Sequence, residues 1–266
     1  MTAPRSRPRS IVRRHAAHLH AAHLRAARVR AAGRLGLLAL TAALATGCDA
    51  DAAPASKGAA PGAATTAAAA GPAAAPVKVV LRGVDVTGVG YDLGSADARV
   101  VVVEFSDFGC GYCAKHALET FPLLQKEFID AGTVFYKHVP FVMGMFPNSD
   151  MAAAASECAA DQGEFWRMHD RVFEAQREWK GGNASDGAAL FLRIGRDLGL
   201  DAQPFANCVV RTPHPRTRRA DAAARQLGIR ATPTFFINGE PIEGALPPEV
   251  FQRVLRNFIE STAAGG

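Results

Sequence analysis

The sequence predicts an α/β fold: a strand–helix–strand unit, a long helical stretch and a closing hairpin. Three observations lead there. Val100-Val101-Val102-Val103-Glu104-Phe105 is a β-branched run without alternation, the pattern of a strand covered on both faces. Leu118, Phe121, Leu124 and Phe128 then recur near helical spacing, and Thr133 to Val139 reads as another strand, so the connection is that of a parallel βαβ unit. The chain has 266 residues, 48% hydrophobic and 21% charged, which is ample for a core and excludes a wholly disordered protein.

In chain order, the first element is a leader. The whole chain carries 30 basic and 25 acidic residues, a formal +5 that by itself would point to an anionic partner. Residues 1–47, however, hold nine arginines and no acidic group, and without them 21 basic residues face 25 acidic ones, a formal −4. The basic excess belongs to the leader, and nucleic acid is excluded as a partner class. The apolar run at 35–44 is too short to span a bilayer, which takes about 20 residues, but suits the core of a signal peptide. Ala45-Thr46-Gly47-Cys48 resembles the lipobox of bacterial lipoproteins, which implies a lipidated Cys48 as mature N-terminus. An ordinary secretory signal or an uncleaved anchor are the alternatives. Residues 48–76, almost entirely Ala, Pro, Gly, Ser and Thr after the cysteine, cannot bury enough apolar area to offset their ordering entropy and read as a tether.

The folded domain is expected over residues 77–266. Val79-Val80-Leu81 opens it as a short strand. Pro122 is expected to kink the helix after the main strand. Helices are predicted at 151–160 and 165–177, the latter with Phe165, Trp166 and Phe173 as core residues of the helical part. Another follows at 188–198 with Ser185 as its N-cap, and a shorter one after Asp201, interrupted at Pro213-His214-Pro215. Thr234-Phe235-Phe236-Ile237, Asn238-Gly239 and Glu240-Pro241-Ile242 form a hairpin with an Asn-Gly turn. Pro248 opens a last helix whose Phe251, Val254, Leu255 and Phe258 share one face.

The chemistry concentrates at Cys110-Gly111-Tyr112-Cys113. Two cysteines two residues apart, at a strand-to-helix turn, put the first sulfur at a helix N-terminus, where unpaired N–H groups and the helix dipole stabilise a thiolate. The second sulfur is one turn further in, close enough for a reversible dithiol/disulfide couple. Half a zinc site has the same spacing, but the position between a buried strand and a helix favours redox chemistry. Gly-Tyr supplies no charge near neutral pH, so the thiolate must be stabilised by the helix terminus and its neighbours. Glu104 lies inside an otherwise apolar strand, an expensive place for a carboxylate, and is expected to have a raised pKa and to take a proton near Cys113; a strand-end glutamate reaching solvent is the alternative. Thr232-Pro233 stands just before a strand, where a cis bond would bring the Thr232 backbone beside the sulfurs. His138 ends the second strand on the same side, to tune the thiolate or to serve as a structural histidine.

Glu104 to Cys113 (Glu-Phe-Ser-Asp-Phe-Gly-Cys-Gly-Tyr-Cys), the helical stretch, and Thr232 to Gly239 (Thr-Pro-Thr-Phe-Phe-Ile-Asn-Gly) resemble the DsbA-like branch of the thioredoxin superfamily. The resemblance covers nearly all of residues 77–266. It implies a thioredoxin fold with a helical domain inserted at about 147–228, and extracytoplasmic thiol–disulfide exchange on exported proteins with cysteines. By position, Cys110 matches the family's exposed nucleophile, Cys113 the resolving cysteine, Pro233 the cis-proline and Glu104 the buried acid. In an exported chain the two remaining cysteines, Cys158 and Cys208, are expected to pair, and similar positions are bridged in some relatives. Buried free thiols, or zinc shared by Cys110, Cys113, Cys158 and Cys208, are the alternatives. Gly-Tyr with Thr-Pro is the combination of DsbC-like isomerases rather than of DsbA proper, which weakens the case for a strong oxidant. Those isomerases dimerise through a separate N-terminal domain; here a tether precedes the fold, so a monomer is expected. No metal or organic cofactor is required, only a membrane redox partner that resets the couple. Reduction or isomerisation, including service to cytochrome c maturation, and non-catalytic binding of a metal or of unfolded chains remain alternatives.

Overall fold

The computed structural model describes residues 76–211 and 214–264. The leader, Cys48, the tether up to residue 75 and Pro213 lie outside the described residues.

Two strands, β1 (Val80–Leu81) and β2 (Val84–Asp85), pair as a small hairpin. β3 (Tyr91–Leu93) and β4 (Val100–Ser106) follow. The β-branched run makes β4 the centre of a five-stranded sheet in the order β3-β5-β4-β6-β7. β5 (Val134–Pro140) lies parallel to β4, whereas β6 (Thr234–Ile237) and β7 (Glu240–Glu243) close the other side antiparallel. Asn238 and Gly239 join β6 to β7 with φ of 48° and 89°, the left-handed pair that an Asn-Gly hairpin turn requires. The β4–β5 crossover runs through α1 (Gly111–Lys115), a π-helical turn (His116–Thr120), α2 (Phe121–Leu124) and a second π-helical turn (Gln125–Ile129). Pro122, where a kink is expected, lies just after the first π-helical turn. It sits in the first turn of α2, where its missing N–H costs least, after the wider π turn.

Between β5 and β6 come α3 (Ser149–Ala160), α4 (Phe165–Glu174), α5 (Gln176–Trp179), α6 (Ala184–Asp197), α7 (Ala202–Val209) and α8 (Pro215–Gln226). α9 (Pro248–Ala264) is the last described element. Asn183, not Ser185, caps α6: its Oδ1 accepts from the Asp186 N–H at 2.9 Å, while the Ser185 hydroxyl donates to the same oxygen at 2.6 Å. Asn and Ser cap about equally well, and the earlier residue gains the helix about half a turn.

Alternation along β4 sends its side chains into two cores. Val103 and Phe105, with Phe135, Val139 and Phe236, meet Ala220, Ala223 and Ala224 of α8. Val100 and Val102, with Tyr136, Phe235 and Ile237, meet Phe121, Leu124 and Phe128 of the crossover and Phe251 and Leu255 of α9. A third cluster fills α3–α7 around Phe173, Trp179, Phe191 and Phe205, and it also contains Phe108, Cys110 and Cys113. The Cys158–Cys208 bond (S–S 2.04 Å) ties α3 to α7 within it. Of the aromatics assigned to the helical part, only Phe173 is in that cluster. Trp166 stacks on Phe121 (centroids 5.5 Å) and Phe165 on Tyr91, so both close the seam between α4 and the sheet. β2 and β3 escaped the sequence reading because two or three residues are too few to show a period.

Phe251 is fully buried, edge-on to Phe235 with ring centroids 4.9 Å apart. Phe251→Ala is expected to cost about 3–5 kcal/mol in urea-unfolding free energy, the usual loss for a core aromatic.

Candidate active site

β4 ends at Ser106, and the buried Asp107 holds the turn that follows. Its Oδ1 accepts from the Gly109 N–H at 2.9 Å and from the Ser149 hydroxyl, and its Oδ2 accepts from the Met143 N–H at 2.8 Å. Burial pushes the Asp107 carboxyl up against the pull of these donors. At Gly109 a Cβ would stand 2.3 Å from Phe146 Cβ, so only glycine lets the loop after β5 pack on this turn.

Cys110 occupies the N-cap position of α1 in extended conformation (φ −77°, ψ 125°), and Cys113 lies one turn in. Where the resemblance implies an exposed first sulfur, Cys110 is only 5% exposed; Cys113 is wholly buried. The cover comes from Thr232: the Cys110 thiol donates to its carbonyl at 3.2 Å, and the Thr232–Pro233 bond is cis. Pro233 is itself buried, and its carbonyl accepts from the Gly244 N–H at 2.8 Å.

The two sulfurs have opposed acidities. The Cys113 thiol hydrogen-bonds to the Cys110 sulfur and lowers the Cys110 pKa to about 6, against burial and with help from the Thr232 hydroxyl and the Cys113 and Tyr112 N–H groups. Burial pushes Cys113 well above the ordinary thiol range, and the Cys110 sulfur and the Glu104 carboxylate add to the rise.

Glu104 is 2% exposed and pairs in register with His138 on β5. Its Oε2 accepts from the Tyr136 hydroxyl at 2.8 Å and from His138 Nδ1 at 3.0 Å. Burial alone would raise this carboxyl, as the sequence reading expects. The His138 ring and the Tyr136 hydroxyl outweigh it and hold the pKa well below the carboxylate range. His138 Nε2 is buried without a partner among the described residues. Since the Tyr136 hydroxyl donates to Glu104, it accepts from His116 Nε2 at 3.1 Å, which leaves His116 Nδ1 buried and without a partner among the described residues. Burial lowers the His116 pKa to about 4.

The structure thus brings Glu104, Cys110, Cys113, Thr232 and Pro233 together, with Cys158 and Cys208 in the helical cluster. Among the described residues the four sulfurs do not converge; Cys158, Cys208 and His214 have ligand atoms within 4.8 Å of one another, but those two sulfurs are bonded to each other. Sequence reasoning missed Tyr136, His116, Asp107 and Gln176. Tyr136 was within reach, since alternation along β5 places it on the same face as His138. Gln176 left no local signal: its Nε2 donates to the Phe108 and Cys110 carbonyls at 2.6 and 3.0 Å.

A central parallel strand pair, a dithiol at the turn after its first strand and a cis-proline loop against the sulfur define a thioredoxin fold, here with a helical insertion. A family model described as thioredoxin matches residues 87–257. The disulfide bond formation protein D of Bacillus subtilis is 34% identical over 161 residues, 57% of this chain and 68% of that protein. The chain belongs to the DsbA-like branch of the thioredoxin superfamily. Among solved structures, oxidised BdbD from Bacillus subtilis aligns with TM-score 0.58 and 26% identity over 66% of this chain and 95% of the other. α-DsbA1 of Wolbachia pipientis has the same fold, with TM-score 0.58 at 24% identity over 65% and 92%. The Na(+)/H(+) antiporter NhaA of Herminiimonas arsenicoxydans is 35% identical over 163 residues, 61% of this chain, which spans only 24% of the antiporter's length. No helix among the described residues is long and apolar enough to cross a membrane.

The buried histidine sets a pH dependence. His116 binds its proton near pH 6.5 when unfolded and near 4 when folded, so between these values the unfolded state holds more protons and stability falls as pH falls. His169, lowered by burial, acts in the same direction. Urea midpoints are expected to drop from pH 6.5 towards pH 4, and His116→Phe is expected to flatten that slope.

Proposed function

We propose that the protein is a thiol–disulfide oxidoreductase acting on cysteines of exported proteins outside the cytoplasm, through the Cys110–Cys113 couple. One observation carries the reading: the sulfur of lowered pKa is the one beside Thr232 and the cis-Pro233 loop, whereas the raised one is sealed behind it. In the oxidising direction a substrate thiolate attacks Cys110 of the disulfide, the Cys110–Cys113 bond breaks, and Cys113 takes up a proton. A second substrate thiolate then attacks the substrate's own sulfur and expels Cys110 as a thiolate, which its lowered pKa makes a good leaving group. Glu104, held by Tyr136 and His138, adds negative charge that keeps Cys113 protonated until it must react. Main-chain groups at Thr232 and Pro233 would hold an extended substrate segment with broad specificity.

In this reading residues 1–47 export the chain, and Cys48 carries a lipid that anchors it through the 48–76 tether. The monomer uses residues 147–228 as an inserted domain stapled by Cys158–Cys208. A membrane redox partner resets the couple, with no metal or organic cofactor. A second reading, reduction or isomerisation, is favoured by Gly111-Tyr112 together with Thr232-Pro233; a low reduction potential with efficient insulin reduction would select it over oxidation.

Iodoacetamide alkylation of Cys110 is expected to rise with pH around a midpoint of about 6. Cys110→Ala is expected to abolish exchange with insulin or a scrambled substrate, and Cys113→Ser to accumulate the mixed disulfide. Undiminished exchange in Cys110→Ala would remove the catalytic assignment of Cys110.

A further inference from the structure

Among the described residues, the Gln176 amide is the only side chain that donates to two backbone carbonyls of the turn leading into the dithiol. It is buried at the start of α5, and its single Nε2 donates both hydrogens: to the Phe108 carbonyl at 2.6 Å and to the Cys110 carbonyl at 3.0 Å. These carbonyls flank Gly109, the residue with least conformational resistance of its own. α5 is anchored independently of them. Trp179 is fully buried, its indole N–H donates to the Val172 carbonyl at 2.9 Å, and its own carbonyl accepts from Asn148 Nδ2 at 2.8 Å. Lys180 then stands over the Phe146 ring at 4.8 Å, the ring that packs on Gly109. Two routes from α5 therefore converge on residues 108–110, one polar through Gln176 and one through Phe146.

We propose that Gln176 is a positioning residue for the exchange reaction: from the helical insertion it fixes the Phe108–Cys110 backbone, so that the Cys110 sulfur faces the N–H groups of α1 and the Thr232 loop. The inference rests on the thiol-exchange reading for its meaning but not for its test. A carbonyl beside a thiolate presents the wrong end of its dipole. Two donors on the Phe108 and Cys110 carbonyls offset that repulsion and keep the Tyr112 and Cys113 N–H groups aimed at the sulfur. The titratable group facing Cys110 is Cys113 of α1, with Glu104 of β4 behind it. Asp107 is tied to Ser149 and Met143, and Lys115, Glu174 and Arg177 line the groove beside α1.

The test is the Cys110 thiolate titration, followed by ultraviolet absorbance, in Gln176→Leu and the near-isosteric Gln176→Glu, with urea midpoints recorded alongside. Loss of both donors in Gln176→Leu is expected to raise the midpoint by about one pH unit, a roughly tenfold smaller thiolate fraction below it. It is also expected to shift the glutathione equilibrium towards the enzyme disulfide. Gln176→Glu retains at most one donor, and only while its carboxyl is protonated, so its exchange rate is expected to fall away from the parent's as that carboxyl ionises. A titration unchanged from the parent in either folded variant overturns the proposal, and if Gln176→Leu fails to fold the Gln176→Glu titration decides alone. A shifted titration in a protein without exchange activity would instead keep the positioning role and remove the thiol-exchange reading.

Discussion

A carboxylate in the middle of the central strand, buried away from bulk solvent, has to be satisfied from within the protein. Glu104 meets that demand through two donors from the neighbouring strand, Tyr136 and His138, which alternation places on the same face of β5. Much follows from this one set of hydrogen bonds. A one-residue slip of β5 against β4 would turn both donors to the opposite core and leave a bare buried charge, so the register of the parallel pair is specified chemically as well as by packing. The Tyr136 hydroxyl, committed to Glu104, takes the His116 N–H in turn, and His116 sits under the aromatic contacts of Phe235 and Phe251. A charge on the sheet is thereby wired into the packing of α9.

The same carboxylate gives the two sulfurs different surroundings. Cys113 lies close enough to feel it and too deep to escape, whereas Cys110 stands at the start of α1 with N–H groups, a hydroxyl and the Cys113 thiol around it. The asymmetry does not belong to the four-residue motif. It is assembled from β4 and β5 below, the Thr232-Pro233 loop beside and the helical insertion above. The insertion contributes packing through Phe108 and Phe173, and direct hydrogen bonds through Gln176. The dithiol thus sits where three stretches well apart in sequence meet, and Asp107 ties the turn to the loop after β5.

Much of this is legible in the sequence, and what is not has physical reasons. A buried strand such as β4 shows as a β-branched run because the demand for apolar contact is continuous along it; β3, three residues long, leaves no such trace. Glu104 stood out as a charge in an apolar strand. The direction of its pKa did not, because desolvation is visible in one strand whereas its donors lie on another. Ser185 and Asn183 are equivalent as local caps, and the choice between them depended on where α6 could begin. Phe165 and Trp166 read as core of the helical part because hydrophobicity reports burial and not which partner does the burying.

By itself the sequence determined the main strands, the dithiol at a strand-to-helix turn, the Asn-Gly hairpin and the placing of the whole basic excess among the arginines of residues 1–47. These are local properties: periodicity, β-branching, turn chemistry and charge position are written in neighbouring residues. Only the tertiary structure decided which carbonyl faces Cys110, which donors hold Glu104 and which side chain braces the turn. Each joins residues well apart in sequence, such as Cys110 with Thr232 and Gln176 with Phe108. Their energies depend on distances of a few tenths of an ångström that no local pattern encodes.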